Sequence, residues 1–351
     1  MNEDIDSSDH TDSPHKKTAF ADEEFVVSRA LRRFASKETR GRLVVGPGDD
    51  AAVIDCGADE FIVDSCDCVV EGVHFRKQWL SLPEFGARAV GSRAVLCAAS
   101  DIAAMGASPK SVLVSAGVNP RTDSQIIDEL LQGIEDACAE IGAAVAGGNT
   151  SSAPFMFLDI KVSGETSARS FARNSGAKSG DAVFVTGRLG GSDAAVKILD
   201  GLTSGAHSAA SELGTLERFR FPSPRIDAGL ALAGMVSAMT DISDGLIADL
   251  RRVVSLSGCG ARLSLEKIPV HPGLAGGAME AVTAGGDYEL VFTASADRTG
   301  EIAGVSKKTG LDITQIGSVD GGGALSVFDG ETEIPASEFG PGGYVHNDKN
   351  G

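Results

Sequence analysis

Short apolar runs and longer stretches of helical periodicity take turns along the chain. LVVG, FIVDS, SVLVSAGV and FMFLDIKVSGE are brief, rich in β-branched residues and bounded by glycine or polar residues, which is the pattern of strands. Between them, PEFGARAVGSRAVLCAASDIAAM and the segment 123–141 repeat apolar residues at three- and four-residue steps. In the second of these, Ile127, Leu130, Leu131, Ile134, Cys138 and Ile141 line one face. A second series of similar rhythm follows Gly176–Asp181, with DAVFVTG and YELVFTAS as strands and GGSDAAVKILDG and DISDGLIADLRRVV as helices. The alternation predicts an α/β or α+β fold, and 351 residues suit two domains of ordinary size. The boundaries read as an acidic tail over 1–22, a first domain over 23–168, a second over 169–345 and a tail over 346–351. Gly176–Asp181 reads as the hinge turn between the domains.

Charge narrows the partners. A formal net charge of -18 repels phosphate backbones and excludes non-specific nucleic-acid binding, so an anionic ligand requires intervening cations. The six cysteines are scattered without zinc-site spacing, and Cys138 falls on a helical core face. With no basic-then-apolar start and no run long enough to span a bilayer, the expectation is a soluble, cytoplasmic protein.

Candidate chemistry lies in aspartates placed where apolar residues belong. Val90, Ala94, Cys97, Asp101 and Met105 share a helical stripe, so Asp101 must meet a cation, a hydrogen-bond network or a solvent-filled cleft. FIVDSCDCVVEGVHF carries Asp64 and Asp67 within a strand-like run and ends near His74. MTDISDGL places Asp241 and Asp244 before a helix, where a cap accounts for Asp244 but not Asp241. GPGDD and AGGDYEL add Asp49, Asp50 and Asp287 beside glycine turns. Such oxygen-rich clusters suit Mg²⁺, which meets carboxylates, water and substrate phosphates. No P-loop is present, since Gly176-Ala177-Lys178-Ser179 lacks the glycine before lysine, and no kinase H-R-D motif occurs. Leu189-Gly190-Gly191-Ser192 could offer backbone N–H groups to a phosphate or simply start a helix.

In order, GPGDDAAVID, DSCDCVVEGVHF, SDIAAMGASP, AGGNT, RNSGAKSGD, DISDGLIADL and GGDYELVFT resemble the thiamine-monophosphate kinase family. This family sits within the aminoimidazole ribonucleotide synthetase-like superfamily. The resemblance runs over residues 24 to 345 and implies a two-domain fold, with an N-terminal domain forming a dimeric β-barrel and a C-terminal α/β sandwich. It implies a homodimer that phosphorylates thiamine monophosphate with ATP and Mg²⁺, by in-line transfer without a catalytic side chain. It assigns Asp50, Ser65, Cys66, Asp67, Asp101, Asn149, Asp241 and Asp244 to metal binding. ATP contacts fall on Gly148, Asn149, Arg173 and Ser243, and substrate contacts on His74, Gly286 and Tyr344. Three residues depart from the family pattern: Asn149 where aspartate is usual, Gly286 where glutamate is usual, and Cys66 in place of threonine. These departures leave open a relative acting on another small substrate, or a catalytically weakened nucleotide-binding homodimer.

Overall fold

Strand alternation and one nearly all-buried helix organise the first half of the molecule. The structure, a computed structural model, describes residues 28–30, 42–167, 171–207, 209 and 212–344. The expected acidic tail over 1–22 and the tail over 346–351 therefore lie outside the described residues. Six strands, β1 (Leu43–Val45), β2 (Ala52–Gly57), β3 (Glu60–Val70), β4 (Ser108–Val118), β5 (Ala144–Ser152) and β6 (Phe157–Ser167), form a sheet in the order β1-β2-β3-β6-β4-β5. All pairings are antiparallel except β4 with β5, whose connection runs through a helix. The sheet is open: the expected N-terminal barrel is not found, since among the described residues no sheet closes into a barrel.

Helix α1 (Gly86–Ala104) packs against β3 and β6 and against α2 (Ser124–Glu140). A single apolar stripe was expected for α1, but small residues let it be buried on nearly every side, from Ala87 through Ala99 to Ala104. Gly91 and Gly133 allow α1 and α2 to touch backbone to backbone; a Cβ on either would overlap a carbonyl oxygen of the other helix, that of Leu130 or Arg88. Asp123 caps α2 by accepting from the Gln125 N–H at 2.9 Å.

The second half is built on seven strands: β7 (Asp181–Thr186), β8 (Ala238–Asp241), β9 (Gly260–Ser264), β10 (Leu290–Ser295), β11 (Ile313–Asp320), β12 (Leu325–Asp329) and β13 (Thr332–Ile334). Their order is β13-β12-β9-β11-β7-β10-β8, and only β9 with β12 is parallel. Antiparallel pairing thus dominates both sheets, and the mixed fold is α+β rather than doubly wound.

Helices α3 (Gly191–Thr203), α4 (Leu213–Arg220), α5 (Ile226–Leu232) and α6 (Leu246–Ser257) belong to this half by sequence. Their packing crosses the divide, because Ala195, Leu199, Leu216 and Phe219 complete the hydrophobic core of the first half. Trp79, Phe85 and Phe219 meet there with ring centroids 5.4 to 6.2 Å apart.

The segment joining the halves is pinned rather than free. The Ala172 N–H donates to Met105 O, the Arg173 carbonyl accepts from the Met239 N–H, and the Ser257 hydroxyl accepts from the N–H groups of Gly176 and Ala177. The expected hinge turn is therefore fastened on both sides. No helix among the described residues is long and apolar enough to cross a membrane.

Candidate active site

The β1–β2 turn, with Gly48 at φ 115°, delivers Asp49 and Asp50 to the junction of the two halves. Asp49 Oδ1 accepts from the N–H groups of Asp50 (3.2 Å) and Asn174 (3.0 Å), tying the turn to the connecting segment. Asp50 Oδ1 accepts from Asn174 Nδ2 at 2.8 Å and from the Thr240 hydroxyl at 2.9 Å. Its Oδ2 is shielded from solvent and has no protein hydrogen bond.

Two other carboxylates lie close to Asp50. Asp101 arrives on the last turn of α1 and accepts from the Ser65 hydroxyl of β3, while Asp241 ends β8, buried, with its own Oδ2 lacking a hydrogen bond. Oxygens of Asp50, Asp101 and Asp241 all lie within 4.8 Å of one another. Desolvation and then mutual repulsion raise their protonation range: Asp50 and Asp241 are pushed up to about 7, and Asp101 well above the usual carboxylate range. Asp67, on the same face of β3 as Ser65, adds its charge to Asp101 and Asp241. Three converging carboxylates, two of them with a shielded, unpartnered oxygen, and no sulfur or imidazole donor fit a hard divalent cation such as Mg²⁺.

A second group gathers at the start of α6. The expectation that Asp244 caps this helix is corrected by the structure. It is Asp249 whose Oδ2 accepts from the N–H groups of Ser243, Asp244 and Gly245, each at 3.1 Å. Asp244 instead pairs with Arg252 at 3.1 Å. Around the same turn, the Gly286 N–H donates to Ser243 O (2.7 Å) and the Tyr344 N–H to Asp244 O (2.8 Å). Ser243, Asp244, Gly286 and Tyr344 are thus brought together, the Tyr344 ring being exposed.

The eight metal candidates do not form one cluster. Side chains alternate along β3, so Cys66 points away from Ser65 and Asp67. Its thiol donates to Asp159 Oδ1 at 3.1 Å, and burial pushes it up to about 12. Asn149 pairs with Ser115, which pairs with Asp159 and, through it, aligns with Cys68, so it lies on that opposite face too. Gly148 and Asn149 belong to β5, exposed along its whole length. Cys66, Ser115, Gly148, Asp159 and Lys161 line a hollow of about 320 Å³ there. His74 lies in the turn after β3, where its Nδ1 accepts from the Val70 N–H at 3.0 Å. The Arg173 guanidinium sits over the Phe171 ring at 5.1 Å, with its charge felt by Asp49.

Four residues that support the site were not singled out in the sequence: Asn174, Thr240, Asp249 and Arg252. Only Asp249 left a trace, as an acidic residue in the first turn of α6. Asp287, read as another oxygen-rich place, stands elsewhere. It accepts from the N–H groups of Gly190 and Ser192, so the Leu189–Ser192 turn is a helix start whose donors are taken.

Residues 48–166 match the model of the AIR synthase related protein, N-terminal domain, and residues 178–330 that of its C-terminal domain. A thiamine-monophosphate kinase of Salmonella typhimurium is 31% identical over 297 residues, covering 82% of this chain and 89% of the relative. One from Aquifex aeolicus is 31% identical, covering 82% and 90%. Among solved structures, AaThiL complexed with AMPPCP and TMP superposes with a TM-score of 0.78 at 29% identity, over 93% of this chain and 97% of that one. The HypE-HypF complex, at 16% identity and a TM-score of 0.69, shares the fold.

Proposed function

The chain belongs to the thiamine-monophosphate kinase family, and from that membership we infer that it phosphorylates thiamine monophosphate with ATP to give thiamine diphosphate and ADP. A phosphate oxygen of thiamine monophosphate attacks the γ-phosphorus of ATP, one P–O bond forms as the bond to the β-phosphate oxygen breaks, and ADP leaves. Phosphoryl transfer of this kind depends on positioning and charge neutralisation, so no protein nucleophile is required.

The observation that carries the reading is the convergence of Asp50, Asp101 and Asp241 at the junction of the halves, with Asp50 Oδ2 and Asp241 Oδ2 unpartnered. Mg²⁺ held there by Asp50, Asp101 and Asp241 would neutralise phosphate charge during the transfer. The chain's own contribution is to hold the oxygens in place: Asn174 and Thr240 fix Asp50, Ser65 fixes Asp101, and Asp249 fixes the turn bearing Ser243 and Asp244. On this reading Asp67 and Asp244 complete the cation sites on the cleft side, and Cys66 and Asn149 serve the opposite face of the sheet. Gly148, Asn149, Arg173 and Ser243 contact ATP. His74, Gly286 and Tyr344 contact thiamine monophosphate, the exposed Tyr344 ring offering the thiazolium a cation–π face.

The same proposal includes domains over 23–168 and 169–345, a cytoplasmic location and a homodimer. The exposed β5 edge, with Leu113, Val145 and Phe155 exposed nearby, supports pairing of the N-terminal sheets, which would complete a barrel from two open halves. Incubation with ATP, Mg²⁺ and thiamine monophosphate should yield thiamine diphosphate. ADP without that product would point to another acceptor, and Mg²⁺-dependent ATP binding without turnover to a nucleotide-binding protein.

A further inference from the structure

Helix α6 carries adjacent arginines with different tasks. Arg251 donates to Pro341 O at 3.0 Å and ties down the C-terminal segment. Arg252 reaches into the acidic junction, with Nη2 3.1 Å from Asp244 Oδ2 and 3.3 Å from Asp249 Oδ1. Asp249 is fully buried and its other oxygen already holds three backbone N–H groups, so guanidinium and carboxylate together clamp the turn that follows Asp241.

The placement matters beyond that turn. Arg252 is the basic group whose charge both Asp50 and Asp241 feel, and its side chain stays 42% exposed while Asp249 is sealed. A fixed positive charge beside a cluster of carboxylates opposes the entry of a further cation and weakens its hold. Without it, a site of several buried carboxylates would bind a divalent ion tightly and release it slowly. A kinase whose metal arrives and leaves with nucleotide phosphates needs the opposite.

We propose that Arg252, bridging Asp244 and Asp249, is a positioning residue and the resident counter-cation of the acidic site, setting its divalent-cation affinity low enough for the ion to exchange. The inference rests on the reading of Asp50, Asp101 and Asp241 as a cation site. It also accounts for an arginine here rather than any neutral donor, since a neutral side chain could hold the turn but not oppose the cation.

Calorimetric titration of the full-length protein with MgCl₂ alone, without nucleotide or thiamine phosphate, separates charge from structure. Arg252→Gln should bind Mg²⁺ roughly three- to tenfold more tightly than the parent, and Arg252→Lys, which keeps the charge, should stay within about twofold. Equal or weaker binding by a folded Arg252→Gln protein overturns the proposal. If that variant does not fold, Arg252→Met removes the charge with a side chain of similar length and should bind Mg²⁺ more tightly by the same factor. Equal or weaker binding by a folded Arg252→Met protein overturns the proposal. Asp241→Asn separates the two levels of inference. It should abolish binding, and unchanged binding would remove the cation-site reading itself and this inference with it.

Discussion

Asp50 illustrates how one side chain can be both anchored and available. Asn174 and Thr240 occupy Oδ1, which fixes the carboxylate close to Asp101 and Asp241 and leaves Oδ2 without a protein hydrogen bond. Supporting donors of this sort commonly set metal affinity within a factor of 10 to 100, so Asn174→Ala should weaken Mg²⁺ binding and turnover by roughly tenfold while the protein stays folded. Titration calorimetry and steady-state rates check this; parent-like values in both would mean that Asp50 does not need its brace. Replacing a carboxylate itself should cost more, and Asp101→Asn or Asp241→Asn should each lower turnover by roughly 100-fold or more. Retention of full activity by both variants would dismiss the assignment. Proton linkage gives an independent handle. Asp50 and Asp241 hold protons more firmly folded, at about 7, than in the unfolded chain at 3.8, so the metal-free protein loses stability as pH rises through that window. A bound cation offsets the burial and the repulsion that raise them. The increase in melting temperature on adding Mg²⁺ should therefore be small at pH 5.5 and larger at pH 8; an equal increase at both would contradict the linkage. Asp101 was legible as a carboxylate on a helix stripe because periodicity exposes such misfits. Asn174 was not, since its worth comes from two atoms that reach Asp49 and Asp50 across 124 and 125 positions of sequence.

At the scale of elements, the contrast between α1 and α2 is instructive. Helix α2 buries Leu130, Ile134 and Cys138 of the face read from the sequence but leaves Leu131 of that expected face exposed, whereas α1 is buried almost all round because alanines, glycines and serines let other elements crowd it. Gly91 and Gly133 are the tightest points of that crowding. Gly91→Ala would force α1 off the Leu130 carbonyl and should destabilise the protein by roughly 1 to 3 kcal/mol, despite the gain in helix propensity. Urea denaturation checks this, and an unchanged midpoint would mean that the helices separate at no cost. The alternation of β3 was equally legible: Ser65 and Asp67 against Cys66 and Cys68. What no local pattern states is which face meets α1, so Cys66 and Asn149 were grouped with residues from which the sheet divides them. Likewise the capping role went to Asp244, the acidic residue just before the helix, because the way the Ser243–Gly245 turn folds back over Asp249 in the first helical turn is not written in spacing alone.

At the scale of the whole molecule, the hydrophobic cores interlock across the two halves, while among the described residues β5 is an unpaired edge of the first sheet. The first core takes in Leu199, Leu216 and Phe219 from the second half, and the described part of the connecting segment is hydrogen-bonded to both halves around the acidic junction. The edge strand β5 is the opposite case: exposed throughout, with Val145 at 51% exposure beside Leu113 of β4 at 42%, and carrying Gly148 and Asn149. An unpaired, partly apolar edge of this length invites pairing with a second copy, and a charge placed on it should oppose that pairing. Val145→Glu is expected to shift the protein from dimer to monomer in light scattering at micromolar concentration, with its secondary structure retained. If Gly148 and Asn149 act only once the opposite face is covered, activity per chain should fall with the dimer fraction as the parent protein is diluted. It should also be low in Val145→Glu at every dilution. A Val145→Glu protein that remains dimeric would move the interface away from β5. A monomer with full activity would instead leave the site complete within one chain and remove Gly148 and Asn149 from any role that needs a partner.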